Sequence, residues 1–278
     1  QPEARRLFPR AIFVAGLSDL HSLVIRRLVD NASKSRSIFY RLLTSNLLKL
    51  RSYWLKRLEG MILQSYSLIT SQPNLLSKAI VVSNGVDPLL SSLDILKKEK
   101  TVFFVGHLTG IYKYRLHWLL NGIRNRLKSQ YPLLKVTVIG RCPDKKFLDW
   151  LHHLDVIHIE HVDELSDIYK TRGVMVAPIF KGYGIINKVL EAMASGCLVI
   201  GDKTAFNGIS GFMAGKHGLI AQTEIEFFNQ IEYAMNTEDL LLEVRQNGRS
   251  LIQEQFNWSD RYKIICDRIN DLLIKKKI

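Results

Sequence analysis

The residues with chemical potential are concentrated between Lys181 and Ile209, in KGYGIINKVLEAMASGCLVIGDKTAFNGI. An apolar run over 174–177 reads as a buried strand, closed by Pro178. Gly182 and Gly184 then flank Tyr183, and Ile185, Val189, Ala192 and Met193 repeat at helical spacing. Gly196 stands where that helix would end, and 197–200 begins a second buried strand. In such a strand, glycine loop, helix, strand order, loop N–H groups can approach a phosphate, and the helix N-terminus adds roughly half a positive charge. Lys188 and Glu191 lie three apart and share one helical face near that end. A cation and a carboxylate so placed suit a ligand with a diphosphate and a ribose, the Lys meeting charge and the Glu accepting from hydroxyls. The same order also describes an ordinary βαβ crossover, with glycines for close packing and a solvated Lys/Glu pair.

The whole stretch GYGIINKVLEAMASGCLVIG resembles the donor-site motif of the GT-B fold retaining glycosyltransferases, group 1 or family 4-like. There the pattern runs approximately G-x-G-I-K-x-K-x-L-E-A-M-A-x-G-x-P-V-V. Gly182, Gly184, Ile185, Lys188, Leu190, Glu191, Ala192, Met193, Ala194 and Gly196 match it. Ile186 stands in place of the first Lys, Leu198 in place of the Pro, and Tyr183 where many relatives carry a Glu. The resemblance implies a donor-binding site for a nucleotide sugar, an acceptor that is a polysaccharide or lipid-linked glycan, and action at the inner face of a membrane.

From Thr101 onward, apolar strands at 102–105, 136–139, 156–159, 174–177, 198–200 and 218–221 alternate with helical stretches. That alternation predicts an α/β fold, a Rossmann-like doubly wound parallel sheet with helices on both faces. Ligands in such sheets sit past the carboxyl ends of the strands. Past the first strand come Gly106 and His107, which resemble the glycine turn where relatives approach the donor diphosphate. His107 suits a phosphate hydrogen bond or a loop cap. Past the second comes Arg141, a phosphate ligand by position and charge or else a surface Arg. The loop 160–165 resembles the one that holds the base in relatives, with His161 where a Gly is usual. Past the fifth, Thr204 could reach a phosphate, as could any loop hydroxyl. The donor-binding set expected here is therefore Gly106, His107, Arg141, Gly182, Tyr183, Gly184, Lys188, Glu191 and Thr204. No D-x-D pair and no His/Glu cluster with ligand spacing occurs, and the cations favour a metal-free departure of the diphosphate, so no cofactor and no metal are expected.

With 278 residues and an apolar fraction of 47%, the chain can build one large or two modest cores. The expected division is a partial first domain over 1–90, truncated and Rossmann-like, and a donor domain over 91–278. Its last helix follows Phe256-Asn257-Trp258 and crosses back to the first domain, as the resemblance implies. Short strands are expected over 11–17, 67–70 and 79–83, with Asp19 capping a helix and a long helical pattern over 36–63. Asn84-Gly85-Val86-Asp87 marks a turn, and 91–100 reads as a linker. The chain opens with Gln1 rather than Met, which reads as a truncated N-terminus. The catalytic residues, expected in the first domain, are unassigned, with Asp19 and His21 its only clustered polar candidates.

A net charge of +13 calls for an acidic partner. Residues 26–57 carry nine cations against Asp30 alone, with Tyr40, Tyr53 and Trp54 interleaved. That pattern fits either an anionic membrane surface or a helix with a solvated basic face. No nucleic-acid motif accompanies the charge, so no nucleic-acid partner is expected. Cys142, Cys197 and Cys266 are odd in number and widely separated, which points to a reducing cytoplasm. The alternative to the enzyme is a non-catalytic nucleotide-sugar-binding or partner-docking relative, favoured by Tyr183 and Ile186.

Overall fold

A computed structural model describes residues 15–17, 68–70, 79–96, 99–180 and 185–276. The chain divides into two compact units, one of residues 1–83 with 259–278 and the other of 84–258. In the first, β1 (Ala15–Leu17), β2 (Leu68–Thr70) and β3 (Ala79–Val81) form a parallel three-stranded sheet in that order. Ala15 pairs with Leu68, and Leu68 with Ala79. The Asp19 cap and the helical pattern over 36–63 lie outside the described residues.

The second unit is built on six strands. They are β4 (Glu99–Val105), β5 (Lys135–Ile139), β6 (Ile157–Ile159), β7 (Arg172–Ala177), β8 (Leu198–Gly201) and β9 (Leu219–Ile220). All pair parallel, in the order β6-β5-β4-β7-β8-β9. The chain runs outward from β4 to one edge and then returns to β7 and runs to the other. The crevice between the ends of β4 and β7 is therefore the switch point where such sheets hold ligands.

The central strands are apolar on both faces because both faces are covered. Alternate residues divide between two cores. Val102, Phe104, Val136, Val138, Val174 and Val176 pack on one side with Leu116, Leu120 and Ile123 of α1 (Gly110–Gln130) and with Phe227 and Ile231 of α5 (Glu224–Asn236). Phe103, Val105, Met175, Ala177 and Val199 face the other side. There they meet Tyr169 of α3 (Leu165–Thr171), Val189 and Met193 of α4 (Asn187–Ala194) and Ile252 of α6 (Glu238–Gln255). The shorter α2 (Lys145–His153) is capped by Asp144, which accepts from the Phe147 N–H. The last helix, α7 (Trp258–Lys276), falls largely in the first unit.

The segment expected to be a linker is only partly so. Pro88–Ser91 is a single helical turn capped by Asp87, and strand β4 already begins at Glu99. Val86 forms a parallel bridge with Asn257, and its N–H donates to the Phe256 carbonyl at 2.8 Å. Segment 84–90 thus belongs with the second unit.

Candidate functional site

Helix α4 is short, and both of its ends are determined by specific residues. Its C-terminus closes on Gly196, at φ +71°, where the Gly196 and Cys197 N–H groups return to the Met193 and Ala192 carbonyls. Arg245 donates to the Gly196 carbonyl at 2.7 Å, and Arg249 donates to the Ser195 carbonyl at 3.0 Å. Two guanidinium groups thus sit at the negative end of the helix. At the other end Ile186 is the cap residue and offers no side-chain acceptor. Asn187, the first helical residue, accepts from the Asn84 side chain at 2.9 Å, so the Asn-Gly turn reaches the start of the helix.

Lys188 is the second residue of α4. Its ammonium lies 4.6 Å from the centre of the Phe104 ring and 3.9 Å from that of Tyr112. It also touches the turn past β4, because a Cβ added to Gly106 would stand 2.6 Å from Nζ. Burial pushes Lys188 down to about 8, while the charge of Glu191 pulls the other way. One turn on, Glu191 accepts from the Tyr169 hydroxyl at 3.1 Å. Burial raises its carboxyl above the usual range, opposed by the Tyr169 hydrogen bond and by Lys188. Tyr169 is fully buried, and that burial, with Glu191 beside it, raises its phenol well above the ordinary value. The solvated Lys/Glu pair is thereby excluded. Both groups are half-buried, Lys188 against two aromatic rings and Glu191 against the Tyr169 hydroxyl.

Around the ends of β4, β5 and β6 the backbone is drawn unusually close. The Gly106 N–H donates to the Ile139 carbonyl, the Gly140 N–H to that of Ile159, and the Leu108 N–H to that of Arg141, all within 2.8 to 2.9 Å. Gly140 sits at φ +132°, and a Cβ there would lie 2.3 Å from the Gly106 oxygen, so only glycine fits. Past these ends lies a cleft of about 500 Å³. Gly106, His107, Gly140 and Arg141 line it on one side, and Glu160, His161, Val162 and Leu165 on the other. His107 and Arg141 are exposed in it.

The structure brings Gly106, His107 and Arg141 together in this cleft and sets Lys188 against Gly106. Glu191 stands behind Lys188. Thr204 lies elsewhere, in the 3-10 turn Lys203–Phe206 after β8, outside the cleft lining. Its N–H donates to Asp202 at 2.8 Å. Gly182, Tyr183 and Gly184 lie outside the described residues. Asp202 is the residue that sequence reasoning passed over. Its buried carboxylate also accepts from the Ile179 and Phe180 N–H groups, at 2.5 and 2.7 Å, and so ties the end of β7 to the end of β8. An acidic residue directly after an apolar strand is the only sign the sequence offers of this. Among the described residues no three His, Cys, Asp or Glu side chains gather as a metal-binding group.

Residues 99–237, half of the chain, match the family described as Glycosyl transferases group 1. The chain belongs to this family. An uncharacterised 44.6 kDa protein in the cps region of Klebsiella pneumoniae is 26% identical over 166 residues, covering 56% of this group 1 chain. The chain spans about 42% of that relative's length. Among solved structures, sucrose-phosphate synthase from Thermosynechococcus elongatus superposes with a TM-score of 0.67 at 16% identity, over 98% of this chain and 71% of the other. HepE of Anabaena in complex with UDP-glucose superposes with a TM-score of 0.63 at 12% identity, over 97% of this chain and 75% of the other. These likenesses establish the GT-B fold for this group 1 glycosyltransferase chain.

Proposed function

We propose that this group 1 glycosyltransferase chain binds a nucleotide-sugar donor in the crevice between β4 and β7 and, within its whole protein, transfers the sugar to a glycan or lipid-linked acceptor. The observation that carries the reading is the juxtaposition of the Gly106 turn, the Lys188 ammonium and the Glu191 carboxylate at the switch point. A departing nucleoside diphosphate needs positive charge where its oxygens gain electron density. Lys188, Arg141 and the N-terminal amides of α4 supply that charge from the protein, which makes transfer metal-independent. Glu191 uses one acceptor position for Tyr169 and retains others for the ribose hydroxyls. The base lies in the cleft between Arg141 and the 160–165 loop, with Val162 and Leu165 as its apolar wall. Retention of configuration at the sugar is part of this proposal, and the likeness of the 182–196 motif to that of the retaining group supports it. The presence of UDP-glucose in the HepE complex supports a donor of this chemical class.

The test is a thermal-shift screen of the chain against UDP, GDP, ADP, dTDP and CMP with their sugars, without added metal. A ligand that binds only the folded state raises its apparent stability by mass action. A rise with one nucleotide family that Glu191→Ala abolishes is the expected result. Absence of a rise with all five, in a cooperatively melting sample, overturns the donor reading. Turnover separates the two functional classes: tight binding with neither transfer nor donor hydrolysis would make the protein a non-catalytic relative. Ile186, which leaves the start of α4 without a second Lys, and Tyr183, which stands where many relatives carry a Glu, are the features that favour that class.

A further inference from the structure

Among the described residues, Lys188 is the lysine whose ammonium reaches the Gly106 turn. Lys113, at the start of α1, is paired with Asp144 at 2.7 Å across to α2. Its neighbour Tyr112 instead turns its ring to Lys188, with the Nζ 3.9 Å from the ring centre. Phe104, fully buried on β4, closes the second side at 4.6 Å. The third side is Gly106, whose missing side chain leaves room for the ammonium. A lysine stem has four rotatable bonds and a strongly hydrated head, so an ammonium found between two ring faces has been selected for one place.

We propose that Tyr112 is a positioning residue for donor binding: with Phe104 it forms an aromatic cage that holds the Lys188 ammonium against Gly106, where it meets the donor diphosphate only in its protonated form. This rests on the donor reading above, and it adds a residue and a proton linkage to it. The ring faces carry negative charge that partly replaces the lost water, which keeps a buried lysine charged. Among the described residues, the ionisable groups around the ammonium are Glu191 on its own helix, Tyr112 on α1, Tyr169 beyond Glu191 on α3, and His107 beside Gly106 on the turn. Glu191 favours the charged form, and burial opposes it, leaving Lys188 to lose its proton near 8. Donor affinity is therefore proton-linked on the alkaline side of neutrality.

Equilibrium titration of the chain with UDP and with inorganic pyrophosphate, from pH 7 to pH 9.5, tests this. Wild-type affinity for both is expected to fall as pH rises through about 8. Lys188→Met should weaken binding about tenfold or more at pH 7 and flatten the profile. Tyr112→Phe keeps the ring and should keep both affinity and midpoint. Tyr112→Leu keeps apolar volume without a ring face, so affinity at pH 7 should drop about three- to tenfold and the midpoint should move to lower pH. Should that variant fail to fold, Tyr112→Met fills the same space and gives the same readout. If Tyr112→Leu matches wild type in affinity and midpoint while Lys188→Met does not, the cage has no role and the donor reading stands. If Lys188→Met binds both probes as wild type does, the cage proposal falls while the donor reading stands. If neither probe binds wild type at pH 7, the cage proposal falls, and the donor reading falls with it when the five-nucleotide screen is blank as well.

Discussion

At the scale of single residues, the site is built from groups that a stable fold would leave in water. Lys188 titrates near 8 where an ordinary lysine titrates near 10.5. Each pH unit of that depression corresponds to about 1.4 kcal/mol. The unfolded chain therefore holds its proton more tightly than the folded one, and the charged lysine weakens the fold by about 3 kcal/mol at neutral pH. The sign follows from proton binding: between pH 8 and 10.5 the unfolded state carries more protons, so this handicap disappears as pH rises. Lys188→Met is expected to raise the unfolding free energy from urea denaturation at pH 7, by up to about 3 kcal/mol. The gap between variant and wild type should narrow from pH 8 to pH 10. A gap of zero at pH 7 would mean that the ammonium is hydrated. Glu191 behaves in the opposite sense, since a raised carboxyl is most favourable when protonated and its contribution is lost as pH climbs above the usual carboxylate range. Two such groups side by side are easier to explain by a ligand that needs them than by the stability of the empty protein.

At the scale of elements, what positions these side chains is the close approach of strand ends, and one pair of glycines isolates that effect. Gly140 and Gly110 both have positive φ, at +132° and +49°. A Cβ at Gly140 meets the Gly106 backbone, which cannot yield, whereas one at Gly110 meets nothing within 4 Å. Gly110→Ala should therefore cost only the left-handed penalty of about 1 to 2 kcal/mol. Gly140→Ala has to part β4 from β5 at the Gly106 turn, and it should cost more and remove pyrophosphate binding in the fraction that folds. Chemical denaturation of the two variants side by side checks this, and equal losses would count against a backbone-limited site. The contrast also shows what was legible in the sequence. The strands were readable because residues such as Val102, Val136, Val174 and Val199 form apolar runs in a sheet covered on both faces. The Lys188/Glu191 pair was readable because helical spacing is local. The Gly106–Gly140 approach, the caging of Lys188 by Phe104 and Tyr112, and the tie from Asp202 to Ile179 and Phe180 join residues far apart in sequence. A core aromatic and a site aromatic leave the same mark on the chain, so nothing in the sequence singles out Tyr169 and Tyr112.

At the scale of the whole molecule, charge is distributed unevenly. Residues 26–57 hold nine cations and one acid, which accounts for eight of the thirteen net positive charges. The donor site accounts for little of the remainder, since Lys188 is opposed by Glu191. No helix among the described residues is long and apolar enough to cross a membrane. An acceptor carried on a lipid would have to be met at a surface, and anionic headgroups attract basic segments by about 1 kcal/mol for each Lys or Arg near them. The chain is therefore expected to sediment with vesicles containing about one-third anionic lipid at low salt, because several cations can act together within a Debye length of about 10 Å. Raising the salt to about 1 M, where that length shrinks to about 3 Å, should release it. Replacing Arg26, Arg27, Arg36 and Arg41 by Gln should weaken vesicle binding while leaving the thermal shift with the nucleotide donor intact, since none of them belongs to the set assigned to donor binding. Binding that survives both high salt and the four substitutions would instead point to apolar insertion, and Tyr53 and Trp54 would be the residues to replace next.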